Sequence, residues 1–94
     1  MKQMAEEKIH SVGQAVLRQV AGQYVLIPIG ETAMKIQKLI CLTESSVMLW
    51  NMVTEGTTEE KLQQALLDTY EVDPETARTD TQAFLRSMRE LGLI

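Results

Sequence analysis

The side chains best suited to chemistry are few and far apart in this chain. His10 is the only histidine and Cys41 the only cysteine. Pairing them as base and nucleophile requires the N-terminal arm to fold over the segment that holds Cys41. One of each also falls short of the three or four ligands of a zinc site. A lone cysteine forms no intramolecular disulfide and suits a reducing compartment, so the cytoplasm is the expected location. Within a strand, Cys41 reads as a small buried hydrophobe. Two carboxylate pairs, Glu6-Glu7 and Glu59-Glu60, fall on a polar arm and at a helix start, where negative charge is solvated or complements the helix dipole. Glycines 13, 22, 30, 56 and 92 stand singly, so no glycine-rich phosphate loop is present. These residues point away from an enzyme, a metal or a cofactor, and toward binding.

Candidate binding groups are basic. Arg78, Arg86 and Arg89 share one helical segment, and Lys35 and Lys38 flank and occupy the segment before Cys41. If those two segments are neighbours, they frame a groove with an apolar floor and a basic rim; the plain alternative is a solvated helix face carrying pairs such as Arg86 with Glu90. Charge is uneven along the chain. Residues 1–42 hold five Lys/Arg against three Asp/Glu, whereas residues 43–94 hold four against ten. An acidic helical half argues against nucleic acid, whose phosphates supply most of the affinity in such complexes.

Positioning these groups is the task of a strand that runs directly into a helix. Ile36 to Leu42 (IQKLICL) reads as a strand, Thr43 as the cap of the helix that follows, and Gly56 as its stop. Upstream, Ala15 to Val20 and Gln23 to Ile29 read as a hairpin through Ala21-Gly22, with Pro28 near a strand end or on a side without a partner. Gly30 to Ala33 reads as a turn. Met1 to Ser11 has no period and reads as a frayed or loosely docked arm, placing the arm over about residues 1–13.

Beyond Thr43 the apolar period changes from two to about 3.6. Ser46, Leu49, Trp50 and Val53 form a buried stripe, with Trp50 as a core anchor. Thr57 and Glu60 are placed for a capping box, and Leu62, Ala65, Leu66 and Tyr70 form the next buried face. Asp73 then caps a third helix, with Pro74 at its first position. That helix carries Ala77, Thr81, Phe84, Met88 and Leu91 and is closed by Gly92, leaving Leu93-Ile94 to pack back. The expected fold is α+β, a three-stranded antiparallel sheet followed by three helices, resembling a winged helix-turn-helix with the sheet first. With 94 residues one domain is expected. No segment approaches the roughly 20 apolar residues of a membrane span.

The run Leu42-Thr43-Glu44-Ser45-Ser46-Val47-Met48-Leu49-Trp50 resembles the Leu-Asn-x-Thr-Ala-x-x-Ile-Trp signature of the pyrroloquinoline quinone biosynthesis protein D family. Tyr70, Val72, Asp73, Ala77, Asp80, Phe84, Leu85 and the closing Leu91-Gly92-Leu93 also fall where that family puts them, so the likeness spans residues 14–94. Thr43 stands for the usual Asn, Ser45 for Thr, Ser46 for Ala, and Thr81 for a common aliphatic. The first exchange is cap for cap. Thr81 makes the third helix less apolar at a possible ligand contact.

The resemblance implies a recognition domain for ribosomally made precursor peptides. Such a domain is a non-catalytic peptide chaperone that takes the leader as an added strand and presents it to a modifying enzyme, often of the radical S-adenosylmethionine type. Open-edge pairing is a known mode of peptide recognition in its own right. The expected contacts are Gln37, Lys38, Leu39, Ile40 and Cys41 on the strand, with Arg78, Thr81, Leu85 and Arg89 on the third helix, the arginines meeting acidic leader residues. A helix rotated by one residue exchanges Leu85 for Phe84 or Met88. An open edge also offers a second copy of the chain a place to pair. The competing reading is a winged-helix DNA-binding regulator, against which stands the segment Thr58 to Tyr70, with Lys61 alone opposing Glu59, Glu60 and Asp68.

Overall fold

A computed structural model describes residues 8–94. The main sheet is antiparallel, in the order β2 (Ala15–Val20), β3 (Gln23–Pro28) and β4 (Ile40–Leu42). Ala21 and Gly22 both have positive φ, 52° and 82°, which is the two-residue turn whose twist matches that of the flanking strands. A short helix, α1 (Gly30–Lys35), occupies the segment expected to be a turn. After β4 come α2 (Glu44–Glu55), α3 (Glu59–Thr69) and α4 (Pro74–Leu91). The α+β class and the three-stranded antiparallel sheet are as expected, and the three long helices follow it in order.

The helix boundaries follow from their caps. Thr43 Oγ1 accepts from the Ser46 amide at 3.2 Å, and Gly56 ends α2 with φ 91°. Asp73 accepts from the Thr76 amide at 2.8 Å ahead of Pro74, and Gly92 closes α4 in the left-handed conformation. One cap is displaced by a residue from the expected position. Thr58, not Thr57, caps α3, accepting from the Lys61 amide at 3.2 Å. Thr57 is taken up in a strand, β5 (Thr57–Thr58), which pairs with β1 (Lys8–Ile9).

That pairing corrects the expectation of a loose arm for the residues the structure describes. Ile9 is buried in the core, and the amides of Ser11 and Val12 donate to the carbonyls of Val53 and Leu93. Gly13 lies so close to the C-terminal segment that a Cβ there would meet Leu93 Cδ2 at 2.8 Å. The part of the arm before Lys8, including Glu6-Glu7, lies outside the described residues.

A single core joins the sheet to the helices. Leu26 of β3 shares one buried cluster with Leu49, Trp50 and Val53 of α2, Leu62 and Leu66 of α3, Ala77, Phe84, Leu85 and Met88 of α4, and Leu93 beyond it. Trp50 is a core anchor, as its place in the apolar stripe implied.

Candidate functional site

β4 is an edge of the main sheet, and it is shorter than the sequence pattern suggested. The register pairs Tyr24 with Leu42, Val25 with Cys41 and Leu26 with Ile40. Continued by two residues, it would set Lys38 opposite Pro28, which has no amide proton to give a ladder. The strand therefore begins at Ile40 and not Ile36; Gln37, Lys38 and Leu39 belong to the connection from α1, where all three are exposed. Gln37 Nε2 donates to the Met34 carbonyl at 3.4 Å.

The same register fixes which backbone groups face outward. Val20 and Gln23 close the hairpin, and bonded and non-bonded pairs alternate from there along an antiparallel ladder. Val25 thus spends its amide and carbonyl on β2, while Tyr24 and Leu26 spend theirs on Leu42 and Ile40. Cys41 is left with both groups pointing off the edge. Its side chain is exposed as well, which corrects the reading of Cys41 as a buried hydrophobe: neighbours on a strand point to opposite faces, and Ile40 and Leu42 are the two that pack on the core.

Beside this edge lies a groove of about 500 Å³. Ile40, Cys41 and Leu42 form one side, Thr43, Ser45, Ser46 and Leu49 the end at the start of α2, and Asp80, Ala83, Phe84, Ser87, Met88 and Leu91 the opposite wall. The floor is apolar and the end is hydroxylated. Thr43 Oγ1 donates to Ser46 Oγ at 3.0 Å and lies 3.2 Å from Ser45 Oγ.

The wall is α4, but turned relative to the expected contacts. Thr81 and Leu85 are buried in the protein, with Thr81 fully enclosed and its hydroxyl without a hydrogen-bond partner. Arg78 and Arg89 are exposed and do not line the groove. Arg78 and Ser87 are nine residues apart, two and a half helical turns at about 100° per residue, and so lie on opposite sides of α4. The structure thus brings Ile40 and Cys41 to the groove and leaves the other seven expected contacts outside its lining. Phe84 and Met88, the pair reached by a one-residue rotation, do line it. Asp80, Ala83 and Ser87 also line it without being among the expected contacts, and with Phe84 and Leu91 they recur at helical spacing beside the buried stripe.

Asp73 anchors the N-terminal end of this wall. Hydrogen bonds from Thr76, its side chain first and its backbone amide second, hold the Asp73 carboxyl below the ordinary carboxylate range. Among the described residues, no three His, Cys, Asp or Glu side chains gather so as to hold a metal ion. No described helix is long and apolar enough to cross a membrane.

Sheet, helices and groove together define an α+β domain with a loosely winged-helix architecture and an open sheet edge beside a helix. The family model described as coenzyme PQQ synthesis protein D (PqqD) matches residues 16–94, and the chain belongs to that family. Membership sets it among the accessory, peptide-binding partners associated with coenzyme PQQ synthesis. No curated protein and no solved structure matches the chain.

Proposed function

We propose that this domain binds the leader of a ribosomally synthesised precursor peptide as an added strand on β4 and presents it to a modifying enzyme of the radical S-adenosylmethionine type. The observation that carries the reading is the outward-facing backbone of Cys41 on an edge strand that opens into a helix-walled groove. Backbone pairing gives affinity that tolerates varied sequence, while the apolar wall and floor choose side chains and register. Binding of this kind requires no catalytic group in the domain. An extended segment here buries on the order of 1,000 Å², which suits submicromolar to micromolar affinity.

The test is an isotope-edited NMR titration with leader peptides encoded beside the gene. Amide shifts confined to Ile40 through Ser46 and Asp80 through Leu91, persisting at moderate salt, are the expected result. Shifts that appear only with duplex DNA, and vanish with salt, would turn the assignment to a regulator. Co-elution of domain, leader and maturase tests the presenting role. Self-association through β4 would show as dimerisation that the leader reverses.

A further inference from the structure

The groove's electrostatics are the opposite of a basic rim. Among the described residues, Asp80 is the only charged side chain lining it. At the Asp80 end it adjoins a second cavity of about 300 Å³, lined by Thr43, Glu44, Ser45, Leu66, Tyr70, Val72 and Asp80. Thr43, Ser45, Leu66 and Asp80 line both cavities. Among the described residues, no Lys or Arg lines either one. Asp80 therefore stands where the two cavities meet, and the second cavity adds a further carboxylate, Glu44, beside an apolar strip of Leu66, Tyr70 and Val72.

From this we infer that the segment held in the groove is apolar and carries one Lys or Arg, seated at the Asp80 end with its stem along Leu66, Tyr70 and Val72. The inference rests on the peptide-binding role proposed above. A covering peptide removes Asp80 from water, and a carboxylate so covered is costly unless a cation or donors meet it. Among the described residues, Asp80 has neither a hydrogen bond nor an ion pair within the chain to answer that need. Support of the α2 dipole does not account for it: Thr43 already caps that helix and Glu44 already stands in its first turn. A long basic side chain fits where the two cavities meet, laying methylenes on the apolar strip and its charged head against carboxylate. An acidic residue at the same point is repelled.

The test uses synthetic ten-residue peptides of alternating apolar and Ser/Thr residues, each with a single Lys, Gln or Glu moved through successive positions. Affinities are read from amide shifts of the full chain. At one register position the Lys peptide should bind about fivefold to tenfold more tightly than the Glu peptide, with the gap shrinking as salt rises. Asp80→Asn should remove most of that gap, and Asp80→Lys should reverse it. Peptides that shift β4 and α4 with equal affinity for Lys and Glu, or that keep their preference in Asp80→Asn, would overturn the charge inference and leave strand addition standing. Peptides of every charge failing to shift β4 would overturn both.

Discussion

The main sheet has two edges, β2 and β4, and of these β4 borders the helix-walled groove. β2 is the longer, six residues to the three of β4, so length of free backbone would favour it. By the alternation that frees Cys41 on β4, Gln19 points its amide and carbonyl off the β2 edge. Around Gln19, however, the strand is exposed and carries Arg18, the kind of residue that discourages edge pairing. β4 instead faces α4 across a groove with apolar walls. A free edge becomes a binding edge when a second element supplies side-chain pockets beside the hydrogen-bonding groups.

Breaking the wall is the strongest challenge to this comparison. Phe84 is 7% exposed, joins the core and lines the groove. Phe84→Ala should cost about 3 kcal/mol in urea unfolding, and at temperatures where the variant is folded it should bind leader more weakly. A matched pair of proline substitutions asks about the edges alone. Cys41→Pro removes an outward donor from β4 and Gln19→Pro removes one from β2, in each case sparing the ladder to β3. Leader affinity, measured by titration, should fall about tenfold in the first and stay unchanged in the second. Equal losses would mean that the edges are not distinguished.

Smaller changes separate the wall's support from its contact surface. Thr81 is fully buried behind the groove with an unpaired hydroxyl, so Thr81→Val should raise stability by about 1 kcal/mol in urea unfolding and leave leader affinity alone. Arg78→Gln and Arg89→Gln, on the far side of α4, should alter affinity by less than about twofold in the same titration. The smallest effect concerns the Asp73 cap. Its lowered folded pKa makes the carboxylate's contribution complete above the ordinary value of 3.8 and lost as pH falls through the lower folded value. An Asp73→Asn variant, which keeps a capping oxygen, should lose stability less steeply below that pH in acid-titrated thermal melts.

Much of the architecture was legible because local chemistry sets it. The Ala21-Gly22 turn, the Thr43 and Asp73 caps, the Gly56 and Gly92 stops and the Trp50 anchor all came from residue types acting on neighbours a few positions away. The Thr57 cap failed because two adjacent threonines are locally equivalent, and the choice fell to pairing with Lys8–Ile9. The third strand is shorter than its composition suggests for a similar reason. IQKLICL has strand composition throughout, but Pro28 lies far away in sequence and halts the ladder in space.

The candidate site divides along the same line. By itself the sequence determined the family, the presence of a strand leading into a capped helix, and the apolar stripe of α4. Only the tertiary structure decided which side of α4 faces β4, since amphipathicity fixes the buried stripe but not which of its two flanks borders a groove. That choice put Asp80 and Ser87 beside the edge and Arg78 and Arg89 behind it, and with it the charge that the groove presents to a ligand. The physical reason is that a helix's rotation is set by summed packing against several elements at once, here the sheet, α2, α3 and Leu93, and no single stretch of sequence carries that sum.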